Sequence, residues 1–129
     1  MLFDYHARVL FFLSLALASV VAQTHGVGTL FIFTPGLGAC GFANTSAQTV
    51  ASVSKPVFTG YPGATSNPNK NPICTHRLLI KSGLKNLTVP IVDFFVDTDV
   101  NKVGVSLPGF LHFGTEDDGV IPNVTWSVV

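Results

Sequence analysis

Apolar positions along the 129-residue chain follow two different patterns. Val9 to Val21 is an apolar run interrupted only by Ser14 and Ser19, and it carries no charge. Arg8 precedes it, and Val20-Val21-Ala22 sets small residues where a signal peptidase reads. The run is short for a bilayer span. Residues 1–22 are therefore expected to be a secretory signal peptide rather than a membrane anchor or a buried N-terminal helix.

From residue 23 onward the pattern becomes β-like. Thr29 to Thr34 (TLFIFT) is rich in β-formers and closed by Pro35-Gly36. Thr49 to Val53 alternates apolar and small polar residues, and Arg77 to Lys81 and Leu87 to Val92 flank a Ser82-Gly83 turn. Val124 to Val129 ends the chain with valine, threonine and tryptophan on alternating faces. Between them, Gly60 to Pro72 is so rich in Pro, Gly, Asn and Ser that no regular structure is expected there. Leu107 to Phe113 is the one helix candidate, and it is short. Short strands with frequent turn signals predict one all-β domain, a barrel or a sandwich, over residues 23–129.

Charge narrows the partners. The chain has seven basic and seven acidic side chains, of which Arg8 and Asp4 leave together with the leader. Zero net charge argues against nucleic acid or an anionic membrane as partner. Two cysteines, Cys40 and Cys74, in a secreted chain are expected to pair, which on the chain-entropy model stabilises by about 3–4 kcal/mol. No Cys-x-x-Cys supports redox chemistry. Asn44-Thr45-Ser46, Asn86-Leu87-Thr88 and Asn123-Val124-Thr125 are N-glycosylation sequons and fit the same compartment.

Other motifs carry less. Gly36-Leu37-Gly38-Ala39-Cys40-Gly41 spells a dinucleotide-binding turn, but that chemistry needs a helix to follow and an acid some twenty residues on. No helical pattern follows, and no acid occurs between Gly41 and Asp93, so the glycines read as a tight β-connection. His25, His76 and His112 lack metal-ligand spacing, and no cofactor or metal is expected. Ser106 lacks a nucleophile-elbow context and reads as a helix N-cap. Trp126 reads as core.

Several segments together resemble a known family. Phe33 to Gly41, Phe58-x-x-Tyr61-Pro62-Gly63-Ala64, Asn67 to Cys74, Val89 to Asp93, Gly119 to Pro122 and Val124 to Trp126 are similar to small secreted fungal proteins of the expansin, barwin and rare lipoprotein A-like superfamily. The resemblance implies a six-stranded double-psi β-barrel with one short helix, and a monomer. It also exposes three departures. Phe95 and Thr98 stand where members carry a second cysteine pair. Gly104 stands where the lytic relatives have their acid. Phe31 stands where binding-competent relatives present a threonine.

Glycoside cleavage needs a proton donor at the leaving oxygen, and Gly104 removes it. The resemblance therefore implies a noncatalytic, extracellular protein that binds cell-wall polysaccharide weakly, with Asp93, Tyr61 and Phe31 as contacts. Asp93 has a competing role, tying a neighbouring loop through backbone N–H groups. A secreted protein as partner, with the barrel acting as protease inhibitor or effector, is the alternative. A lytic glycosidase using Asp97 or Asp99 as relocated acids is a further one.

Overall fold

The computed structural model describes residues 22–129. The signal-peptide reading of residues 1–22 falls almost wholly outside them. Six strands carry the fold: β1 (His25–Ile32), β2 (Ala51–Ser54), β3 (Arg77–Ser82), β4 (Lys85–Phe95), β5 (Val103–Val105) and β6 (Val120–Val128). They close into a barrel in the order β1-β5-β2-β4-β3-β6. The pairing is mixed. β1–β5 and β2–β4 run parallel, and the other four interfaces are antiparallel.

β4 shows how the closure works. Its first half, Lys85 to Pro90, pairs antiparallel with β3 in a hairpin through Ser82–Lys85. Its second half, Ile91 to Phe95, crosses to run parallel with β2. One long strand thus serves two partners, and no strand is left with a free edge to template aggregation.

Alternation fixes the inside of the barrel. Leu30, Val53, Leu78, Ile80, Val89, Ile91, Val103, Val124 and Trp126 come from all six strands and are buried against one another. Each large apolar side chain removed from water contributes about 1.5–3 kcal/mol. Phe58 and Phe110, from two short helices, plug the remaining space. The Cys40–Cys74 disulfide, with Cα atoms 5.6 Å apart, ties the loop after β1 to the 3-10 turn before β3. That separation suits an ordinary disulfide.

Several expectations need correction. A second helix, α1 (Lys55–Thr59), precedes α2 (Leu107–Phe110), which ends earlier than expected. Pro56 in the first turn of α1 supplies a preset φ where no N–H partner is needed. The polar segment 60–72 holds a 3-10 turn at Pro68–Lys70, opened by the Asn67 side chain accepting from the Asn69 N–H. Ser106 sits at the N-cap position but does not cap. Its hydroxyl instead donates to the Gln48 carbonyl at 2.5 Å and accepts from the Val50 N–H at 3.0 Å, joining the segment that leads into β2 to the start of α2.

Candidate functional site

Strand register lines up three of the positions singled out in the sequence, Phe31, Gly104 and Asp93, with Ser52 between the last two. Phe31 on β1 pairs with Gly104 on β5, Gly104 with Ser52 on β2, and Ser52 with Asp93 on β4. Phe31 and Asp93 therefore belong to one cross-strand row, with two strands between them. Tyr61 does not join them. It is half-buried against the core, and its ring packs on His76 at 5.3 Å between centroids, beside the chain terminus that His76 Nδ1 contacts at Val129.

At one end of the row Phe31 is held on several sides. Phe95 packs against its ring edge to face, centroids 4.8 Å apart, and Lys102 Nζ lies 4.9 Å from its centroid. Lys102 is paired in turn with Asp97 at 3.1 Å. The Asp99 backbone N–H, and then Lys102, hold the Asp97 carboxyl below its ordinary value. A side chain at position 104 would have its Cβ 2.8 Å from Phe31 Cζ. The ring thus occupies the space that any side chain at position 104 would need.

At the other end, the carboxylate of Asp93 is engaged by backbone. Its Oδ1 accepts from the Ala39 N–H at 3.0 Å and from the Phe94 N–H at 2.8 Å. This is the loop-tying geometry. The loop concerned is the glycine-rich segment Gly36 to Ala43. The Cys40 N–H donates to the Val92 carbonyl, and the Gly38 N–H to Phe42. Leu37 and Ala43 form an isolated β-bridge. Gly38 has no room for a side chain, since a Cβ there would meet the Val92 carbonyl at 2.5 Å. Of the glycines of the apparent nucleotide motif, Gly38 serves close backbone packing and Gly41 adopts a positive φ of 84°, whereas Gly36 has open space around it.

This braced loop presents two apolar side chains to solvent, Leu37 at 79% exposure and Phe42 at 54%. Sequence reasoning passed over both. Their one signal is an apolar residue on each side of a glycine-rich turn.

The remaining candidates separate by exposure. Asn86 and Asn123 are exposed. Asn44 is half-buried with its amide on Gln48. Trp126 is buried and donates from Nε1 to the Asn101 carbonyl at 2.8 Å. Among the described residues no cluster of His, Cys, Asp and Glu is arranged to hold a metal ion.

The chain has the double-psi β-barrel fold of expansin-like and rare lipoprotein A-like proteins. Among solved structures it is similar to the Streptomyces papain inhibitor, with TM-score 0.73 and 23% identity over 84% of this chain and 96% of that one. An aspartate-to-asparagine mutant of the Clavibacter michiganensis expansin in complex with cellohexaose matches with TM-score 0.64 and 18% identity, over 82% of this chain and 50% of that one. The apo form of that expansin matches with TM-score 0.59 and 21% identity. The barrel thus corresponds to half of the expansin and to nearly the whole inhibitor. No protein-family model matches the sequence, and no curated protein does.

Proposed function

We propose that residues 23–129 form a secreted, noncatalytic binding module whose partner is a protein, engaged through the Gly36 to Ala43 loop. The observation that carries this reading is the exposure of Leu37 and Phe42 on a loop that is already ordered. The Cys40–Cys74 disulfide, the Asp93 carboxylate and the Val92 carbonyl each hold it. Ordering an interface side chain ordinarily costs about 0.5–1.5 kcal/mol, and a pre-formed loop avoids much of that. Aromatic and aliphatic anchors of this sort supply most of the energy of a protein interface. The papain inhibitor is an instance of the same barrel acting on a protein.

The test is capture and inhibition against a panel of secreted proteases, beginning with papain-type cysteine proteases. A Leu37→Asp/Phe42→Asp double variant should bind at least about tenfold more weakly, a change of 1.4 kcal/mol, with unchanged thermal unfolding. Equal binding by the double variant would rule out the loop.

Weak polysaccharide binding along the Phe31–Asp93 row is the second reading. The cellohexaose complex of the expansin favours it. Against it stand Lys102 over the Phe31 ring and the engagement of Asp93 by two backbone N–H groups. One stacking contact supports millimolar affinity, about 4 kcal/mol. Sedimentation with insoluble cellulose and chitin separates the readings, because only the second expects retention that a Phe31→Ala change removes.

A further inference from the structure

Beside the braced loop lies a cavity of about 230 Å³ whose lining includes Phe58, Thr59, Ser66, Pro68, Asn71 and Phe94. The rings of Phe58 and Phe94, 5.0 Å apart and tilted by 45°, contribute aromatic wall, and Pro68 adds more apolar surface. The lining is held in place. Buried Asn71 donates from Nδ2 to the Phe58 carbonyl at 2.7 Å and accepts at Oδ1 from the Ile73 N–H at 3.0 Å. Thr59 Oγ1 donates back to the Lys55 carbonyl, leaving little to rearrange on that side.

The cavity adjoins the loop. Asn69, in the same 3-10 turn as Pro68, packs its side chain about 3.0 Å from where a Cβ on Gly41 would sit. Gly41 precedes exposed Phe42, and Asp93, which anchors the loop, precedes Phe94. A projecting apolar loop and a recessed apolar cavity therefore share one end of the barrel.

We infer that this cavity is a subsite for one aromatic side chain of the partner, next to a carboxylate that pairs with Lys70. The assignment to a protein partner rests on the reading above. The rest follows from size and chemistry. An apolar cavity of about 150 Å³ already admits a benzene ring, so this volume suffices for a phenyl side chain. Two phenylalanine rings offer an incoming ring edge-to-face or offset contacts. A sugar ring would find polar groups only in Asn71, which is already engaged, and in the hydroxyls of Thr59, Thr65 and Ser66. Exposed Lys70 lies between lining residues Pro68 and Asn71 and has no ion-pair partner among the described residues, while the Asp93 carboxylate beside Phe94 is engaged by the Ala39 and Phe94 N–H groups, so a negative neighbour is favoured. Such an exposed pair sets preference more than affinity.

The test titrates acetyl-Asp-Phe-amide into the ¹⁵N-labelled protein. Amide shifts should concentrate at Ser66, Asn71 and Phe94. Acetyl-Asp-Ala-amide should bind at least about tenfold more weakly, acetyl-Lys-Phe-amide about twofold more weakly, and Ser66→Trp, at an exposed position beside the cavity, should abolish the shifts. Leu84→Ser, in the distant β3–β4 turn, serves as the neutral control. Equal shifts from the Phe and Ala peptides, or none up to the solubility limit, would overturn the subsite. A captured protein that loses binding in the Leu37→Asp/Phe42→Asp variant but not in Ser66→Trp overturns the subsite and leaves the loop reading standing. Dipeptide binding with protein capture indifferent to the loop variant does the reverse.

Discussion

At the scale of single residues, the row from Phe31 to Asp93 shows substitutions that make sense only together. Position 104 has room only for glycine because the Phe31 ring fills the space beside it, and Phe95 packs edge to face against that ring. Gly104→Ala should therefore cost about 1–2 kcal/mol, the aromatic pair being displaced. In a Phe31→Thr background the same change should be neutral or stabilising by up to about 1 kcal/mol, since adding a Cβ then restricts mainly the unfolded chain. A double-mutant cycle by urea unfolding measures the coupling, and additive effects would show that the ring does not occupy that space. The same geometry bears on chemistry. With no acid at position 104 and both backbone contacts on Asp93, the purified protein should release no reducing sugar from glucans, chitin or peptidoglycan. Turnover abolished by Asp93→Asn would reverse that conclusion. Individual residues were partly legible in advance. That position 104 carries no acid could be read from the sequence, but the Phe31 ring filling the space there could not, because no local pattern records a contact between β1 and β5.

At the scale of elements, legibility followed the strength of the local pattern. The β3–β4 hairpin was readable because Ser82-Gly83 separates two alternating segments. β5 was missed, since Val103-Gly104-Val105 is three residues long with a glycine at its centre. The start of β1 was missed as well, where the glycines of His25-Gly26-Val27-Gly28 dilute the signal. Helix α1 was not anticipated either: it is five residues long, carries β-branched Val57 and has Pro56 in its first turn. The Gly36 to Ala43 loop is an element in the energetic sense too, because three independent ties hold it. Removing the disulfide by Cys40→Ala/Cys74→Ala should cost about 3–4 kcal/mol for its separation of 34 residues. Asp93→Ala removes a charged acceptor and should cost about 2 kcal/mol. It should also speed hydrogen exchange at the Ala39 amide, which distinguishes loss of the tie from general destabilisation. An Ala39 amide as protected in the variant as in the parent would mean that the carboxylate does not anchor the loop.

At the scale of the whole molecule, the order of strands around the barrel bears little relation to their order in the chain. Only β3–β4 joins neighbours in sequence. The register places Leu30 beside Val103 and His25 beside Ser127, so closure brings together residues from opposite ends of the described segment 22–129. Nothing in periodicity specifies such crossings, and the topology was legible only through the family resemblance. The same crossings predict the kinetics. Long-range pairs must form against loop-closure entropy before burial compensates, so folding should be slow, in the range of about milliseconds to seconds rather than microseconds. Trp126, the single tryptophan, reports on this step. It is 3% exposed, lies on β6 between β1 and β3, and donates to Asn101 ahead of β5. Its emission should shift to the blue on refolding only when β6 closes the barrel. Far-ultraviolet signal from the local β3–β4 hairpin should not precede it by a separate phase if closure and folding are one event. Stopped-flow dilution from urea with the disulfide intact follows both signals. Coincident phases slower than a millisecond are expected, whereas recovery of tryptophan fluorescence within microseconds would contradict the crossed topology.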